Sequence, residues 1–246
     1  MNDEELRQRS DALASDLVPP PFDAPDVCPM CRSWRPEGTP YCDNCLQTIE
    51  DVSRPCPRVL PMCLYAKPST MRDRLTYYKD GTPEQRRRYA SEIGIIVARW
   101  FAEHEAALRS LTGGWDVVAV VPSAKRGLPQ PLESAMQDLD SPHIPDLSQP
   151  LARHVGDIGH RKLSDEGFRP TQSVDSLRVL LLDDVFTTGS TAQSAASTLQ
   201  IAGANVVALV PIARRLNPEY TAGVRALWDR QASIPYRFAD SLWWEF

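Results

Sequence analysis

Residues 179–191 read Val-Leu-Leu-Leu-Asp-Asp-Val-Phe-Thr-Thr-Gly-Ser-Thr. Two adjacent carboxylates, Asp183 and Asp184, separate an apolar run from a cluster of hydroxyls, Thr187, Thr188, Ser190 and Thr191, arranged around Gly189. Carboxylates hold cations and accept from sugar hydroxyls, whereas small hydroxyl residues and the exposed main chain beside a glycine hold anions. The two halves of the segment therefore suit opposite ends of one polar ligand. The Gly-x4-Gly-Lys-Ser/Thr pattern is absent, so no lysine is placed to reach the outer phosphates of a nucleoside triphosphate, and nucleotide hydrolysis is disfavoured.

Three other clusters carry reactive side chains. At Val121-Pro122-Ser123-Ala124-Lys125-Arg126-Gly127, Lys125 offers a point charge and Arg126 a forked donor, both suited to a pyrophosphate. The same residues also fit an ordinary exposed turn. Residues 156–168 are polar, partly basic (Arg161 among them) and carry three glycines, the composition of a lid that excludes water, or equally of a surface loop. Cys28-x2-Cys31 and Cys42-x2-Cys45, with ten residues between the pairs, have the spacing of a closed tetrahedral zinc site. Four protein ligands make such a site structural. Redox cysteines or a disulfide remain the other reading of the same thiols. Cys56 and Cys63 lack that spacing and read as small buried hydrophobes. The four histidines form no ligand cluster, and only His160 falls near the expected chemistry.

These residues need a frame. Apolar runs at 117–121, 179–182 and 206–210 are short and continuous, the pattern of parallel strands buried on both faces. Helical signal separates them, near 132–136 and over 191–202, where Gly203 is the stop. A longer helix is expected from Thr82 to about Leu111. Thr82, Pro83 and Gln85 form its start signal, and Gly113-Gly114 ends it. Tyr89, Ile93, Ile96, Val97, Trp100 and Leu108 make its apolar stripe, while Arg86, Arg87 and Arg88 read as a solvated face. The alternation predicts an α/β fold, a mostly parallel sheet flanked by helices. Two unpaired carboxylates are not tolerated mid-run in a buried strand, so Asp183 and Asp184 are expected where the chain leaves the sheet. That edge is where open α/β sheets bind ligands. The following helix then presents its free first-turn amides and positive dipole end to the hydroxyl-rich turn.

A ribose 5-phosphate satisfies both halves, with its phosphate among the amides and its 2′ and 3′ hydroxyls at the two acids. A plainer reading keeps the acids as a strand terminator and the hydroxyls as helix caps. Over its whole length, Val185 and Phe186 included, the stretch resembles the phosphoribosyl pyrophosphate (PRPP) signature of type I phosphoribosyltransferases. The order of four-cysteine knuckle, basic helical segment, Val-Pro-Ser with Arg126-Gly127-Leu128-Pro129-Gln130, and then the signature is similar to the ComF family. That amidophosphoribosyltransferase-like family is linked to natural competence and DNA uptake. Its members commonly carry Val-Pro-Val-Pro and Arg-Gly-Phe-Asn-Gln at the corresponding loop.

The resemblance implies the type I phosphoribosyltransferase fold behind a small N-terminal zinc ribbon or knuckle. It implies Asp183, Asp184, Lys125, Arg126 and Arg161 as catalytic residues, and Ser123, Ala124, Val185, Phe186, Thr187, Thr188, Gly189, Ser190 and Thr191 as PRPP-binding residues. Mg²⁺ would accompany PRPP, and Cys28, Cys31, Cys42 and Cys45 would hold Zn²⁺. The activity implied is transfer of the phosphoribosyl group to a nucleobase or amine nitrogen with loss of pyrophosphate. The rival is a non-catalytic PRPP sensor or a competence accessory with a DNA-uptake or helicase-type protein partner. A homodimer is a further expectation. Arg214, Arg215 and the aromatic end Trp243, Trp244 and Phe246 are candidates for an acceptor pocket, or for packing into the core or a partner.

The chain is expected to divide into a disordered acidic, proline-rich tail (1–25), a zinc module and linker (26–62), and a phosphoribosyltransferase domain with a C-terminal extension (63–246). A weak helix near 4–17 is the alternative for part of the tail. Of 246 residues, 42% are hydrophobic and 24% charged, which argues against wholesale disorder. A net charge of −5 disfavours a broad grip on nucleic acid. No secretory signal or membrane span is evident, and a cytoplasmic protein is expected.

Overall fold

The computed structural model describes residues 1–123, 129–154 and 158–242. Helix α1 (Asp3–Ala14) starts at Asn2, whose side chain accepts from the Glu5 N–H at 2.9 Å, and three acids in its first turn favour the positive dipole end. Helix α2 (Asp43–Asp51) follows Cys42 and carries Cys45. Strand β1 (Cys63–Tyr65) leads to α3 (Thr70–Asp80), capped by Ser69, and then to α4 (Pro83–Thr112). In α4 the Thr82 hydroxyl and the Gln85 side chain cap each other's backbone N–H, and Gly113 ends the helix at φ +75°. Both ends agree with the sequence expectation. Ile93, Ile96, Val97, Trp100 and Leu108 are buried as one stripe, with Tyr89 partly buried beside them.

The acidic segment expected as a mobile tail is instead ordered. Leu6 of α1 is buried in a cluster with Ile95 and Ala98 of α4 and with Leu139. Beyond the helix, Asp16 pairs at 2.7 Å with the buried guanidinium of Arg74, which also binds Glu92 at 2.6 Å. The partner face lies some 90 residues away on α4, so local composition carried no sign of it.

The remaining elements are β2 (Val117–Val120), α5 (Pro131–Gln137), β3 (Leu147–Ser148), β4 (Leu151–Arg153), β5 (Phe168–Pro170), β6 (Arg178–Phe186), α6 (Ser190–Ile201), β7 (Asn205–Arg215) and α7 (Ala222–Ala232); β2, β6 and β7 take up the three expected apolar runs, while the short strands β3, β4 and β5 were not expected. Strands β1, β7, β6, β2 and β3, in that spatial order, form a wholly parallel sheet, while β4 and β5 make a separate antiparallel ribbon. On one face Leu180 and Leu182 of β6 pack with the α4 stripe and with Leu132 and Met136 of α5. On the other, Val179 and Leu181 pack with Ala192, Ala195, Ala196 and Leu199 of α6, small residues that let the helix lie close to the sheet. The sheet is thus an α/β layer with helices on both faces. No described helix is long and apolar enough to cross a membrane.

The cysteine module packs onto the second face. Cys28, Cys31, Cys42 and Cys45 share a core with Phe186, Ala192 and Leu209. The linker after it runs along β7, with Leu60 N–H donating to the Leu209 carbonyl at 2.8 Å and Met62 N–H to that of Pro211 at 3.0 Å.

Candidate functional site

The chain leaves β6 through α6 toward β7 and leaves β2 through α5 toward β3, so the two exits diverge and open a crevice between the strands. Strand β2 is paired with β6 only as far as Val120, opposite Leu182. Past that point β6 continues to Phe186, paired on its other side alone, with Asp183 opposite Pro211 and Phe186 opposite Arg214 on β7. This corrects the expectation that the acid pair ends the strand. The acids stay within β6 because the early end of β2 leaves them a polar space, a cavity of about 450 Å³.

Asp184 is already gripped. It accepts from the Tyr78 hydroxyl at 2.8 Å and is ion-paired with Lys79, both in the last turn of α3. The sequence reading missed both residues, and the only signal was a cation at the end of an unassigned helical stretch. Asp183 is half-buried, and burial pushes its carboxyl up to about 7, with Lys79 pulling the other way. The pair therefore offers one anchored, charge-compensated carboxylate and one that changes protonation near neutrality.

Opposite the acids lies the turn into α6. Thr187, Thr188, Gly189, Ser190 and Thr191 all line the cavity, as do Val185 and Ser123. Thr188 and Ser190 join hydroxyls at 2.9 Å. Gly189 occupies the N-cap position at φ +88° and brings no side chain to cap the helix; the Ser190 N–H makes a long contact of 3.4 Å to the Thr188 hydroxyl, and the turn lines the cavity. A Cβ there would also come within 2.3 Å of the Phe186 ring. Phe186 itself does not line the cavity; it is buried beneath the turn, and its ring supports Gly189.

The remaining walls come from both flanking loops. Ser123 N–H donates to Gln130 Oε1 at 2.9 Å, and Gln130 N–H to Glu133 at 2.8 Å, which pins the loop where it meets α5. Lys125, Arg126 and Ala124, expected to serve a pyrophosphate, lie outside the described residues, as do Trp243, Trp244 and Phe246. Of the expected lid, Ile158, Gly159 and His160 reach the cavity. From Ser164 onward the segment is anchored to α6: Ser164 N–H donates to Ser194 Oγ at 2.9 Å, and Asp165 accepts from Ser197 Oγ at 2.5 Å and Ser53 Oγ at 2.6 Å. Phe168 is buried in β5. Arg161 does not line this cavity; it lines a neighbouring one with His160 and Arg215.

The four cysteines come together as expected, with sulfur atoms all within 4.8 Å of one another. Cys31 and Cys42 are 3.6 Å apart, against about 3.8 Å between sulfurs on a tetrahedral zinc ion with bonds of about 2.3 Å. All four are buried and none is in a disulfide, so the donor set fits a closed structural Zn²⁺ site. Cys56 and Cys63 are fully buried apart from it, and burial pushes their thiols up to about 11 and about 12. Arg214, expected to face an acceptor, is instead buried between the two sites. Its Nη1 donates to the carbonyls of Phe186 at 2.9 Å and of Thr187, and its Nη2 lies 3.8 Å from Cys31 Sγ. Arg215 lines the cavity.

No family model matches the chain, and no curated protein matches it. Among solved structures the chain is similar to the UMP synthase of Leishmania donovani, at 20% identity and a TM-score of 0.31, over 61% of this chain and 32% of that one. The chain thus spans about a third of that protein's length.

Proposed function

We propose that the protein is a type I phosphoribosyltransferase of ComF-like organisation that binds PRPP in the crevice between β2 and β6. The observation that carries this reading is that Asp183 and Asp184 line one cavity together with the start of α6, whose N-cap Gly189 has no side chain. The amides and hydroxyls of residues 187–191 would hold the 5′-phosphate, an anion placed at a helix N-terminus. Asp183 and Asp184 would accept from the ribose hydroxyls and are the residues that would hold Mg²⁺. The ion supplies charge neutralisation for the leaving pyrophosphate. Lys125 and Arg126 would contact that pyrophosphate, and Ser123 stands at the described edge of their loop.

In the reaction a nitrogen lone pair of the acceptor forms the bond to C1′ while the C1′–O bond breaks and pyrophosphate leaves with its electrons. The acceptor then gives up a proton. Rate would come from orientation and from fixed dipoles rather than from covalent catalysis.

The test is calorimetry with PRPP and Mg²⁺, followed by pyrophosphate release against a panel of nucleobases and amines. PRPP should bind, Asp183→Asn/Asp184→Asn should lose at least tenfold in affinity, and one acceptor class should release pyrophosphate. Ordinary PRPP binding by the double variant would remove the site. Tight binding with no release under any acceptor would leave a PRPP sensor in place of an enzyme.

A further inference from the structure

Next to the first cavity, and sharing Thr187, Thr188, His160 and Arg215 with it, lies a second of about 310 Å³. Arg161 enters it from the turn where Gly159 and Lys162 bridge, and Arg215 enters it from the end of β7. Asn217 and Tyr220 come from the segment before α7. Among the described residues no Asp or Glu lines it, and neither arginine has an ion-pair partner. The Arg215 Nε is buried with no hydrogen-bond partner, and the third arginine of the wall, Arg214, has its terminal nitrogens committed elsewhere. Arg161 is held at φ +58°, a backbone region unfavourable for a long side chain. Arg161 is exposed and Arg215 half-buried, two guanidinium groups lining one concavity with no acid among the described residues beside them, so an oxyanion placed there is attracted by both. Their forked donors match phosphate.

We propose that the second cavity is an oxyanion subsite in which Arg161 and Arg215 hold a phosphate group beside the one bound at residues 187–191. The proposal rests on the sugar-phosphate reading of the first cavity and extends it past the 5′-phosphate. The phosphate has two sources, the distal phosphate of a pyrophosphate-bridged ribose nucleotide or a free anion. Tyr220, 55% exposed, offers a ring face for a nucleoside beyond the phosphate, which favours the first source.

The experiment is calorimetry on the full chain with ribose 5-phosphate, ADP-ribose, and inorganic phosphate, the last alone and at saturating ribose 5-phosphate. ADP-ribose should displace ribose 5-phosphate and bind about tenfold more tightly. Arg161→Ala should erase that advantage while leaving ribose 5-phosphate affinity and the melting temperature unchanged, and Arg161→Lys should restore part of it. Arg161-dependent binding of inorganic phosphate at saturating ribose 5-phosphate would support the subsite with the free anion as its source. Equal affinities together with no second phosphate, or a gain indifferent to Arg161, would overturn the proposal. Failure of the first-cavity reading looks different, because ribose 5-phosphate would then not bind at all. Arg161-dependent binding of phosphate alone would then still keep the subsite, and its absence would remove it.

Discussion

Arg214 touches Cys31 with one end of its guanidinium, at 3.8 Å, and the Phe186 carbonyl with the other, at 2.9 Å. One buried cation therefore joins the four-cysteine cluster to the strand end that leads into the turn 187–191. Removing zinc should loosen that turn. Chelation is expected to weaken ribose 5-phosphate binding about tenfold or more and to raise amide exchange at residues 187–191 as well as in 27–52. Arg214→Met should lower stability by about 3 kcal/mol or more, because carbonyls and thiolate lose their buried partner together. Unchanged exchange at 187–191 after chelation would show that the two sites are independent.

Gly189→Ala meets two obstacles, a positive φ and the Phe186 ring. The backbone alone costs about 1–3 kcal/mol. Phosphate-ester affinity should fall by at least tenfold while the zinc content stays at that of the unaltered chain, measured by calorimetry and metal analysis. A variant that binds normally would place the phosphate elsewhere.

Partial burial pushes the Asp183 carboxyl up to about 7. A folded-state value above the ordinary 3.8 means that this group's stabilising contribution is complete below about pH 4 and gone once pH has risen through about 7. The ligand-free melting temperature should accordingly decline across that window, less so in Asp183→Asn. Binding that needs the ionised form runs the opposite way. Affinity for PRPP with Mg²⁺ should climb between pH 6 and 8 with a midpoint near 7, and lose that step in Asp183→Asn.

Lys79 neutralises Asp184 before any ligand arrives. If Asp183 and Asp184 hold Mg²⁺ as proposed, the lysine and the ion would compete for the Asp184 carboxylate. Lys79→Met is expected to tighten Mg²⁺ binding in the absence of sugar by about tenfold, read by competition with Mn²⁺, and Tyr78→Phe should have a smaller effect of the same sign. Weaker metal binding in Lys79→Met would assign the lysine to the ligand instead.

Leu6→Ala tests whether α1 belongs to the folded body. Loss of a leucine that is 2% exposed should cost about 2–4 kcal/mol by denaturant titration with ligand affinity unchanged. A change within about 0.5 kcal/mol would make the helix a loose appendage.

Much of this molecule could be read from short stretches of chain. The capped start of α4 at Thr82, its stop at Gly113, the apolar run that opens β6 and the two Cys-x2-Cys hooks each depend on residues within a few positions of one another, where local chemistry decides the outcome. The turn 187–191 was legible for the same reason. What needed the tertiary structure was every relationship across the sheet. Asp183 and Asp184 remain in β6 because β2 stops opposite Leu182, and Asp184 meets Lys79 because α3 is laid over that strand end. Arg214 is buried because the cysteine module closes over β7, and α1 is ordered because α4 offers it a face. Each of these depends on the register and packing of segments far apart in sequence, whose energy comes from burial and pairing and leaves no local pattern in the chain.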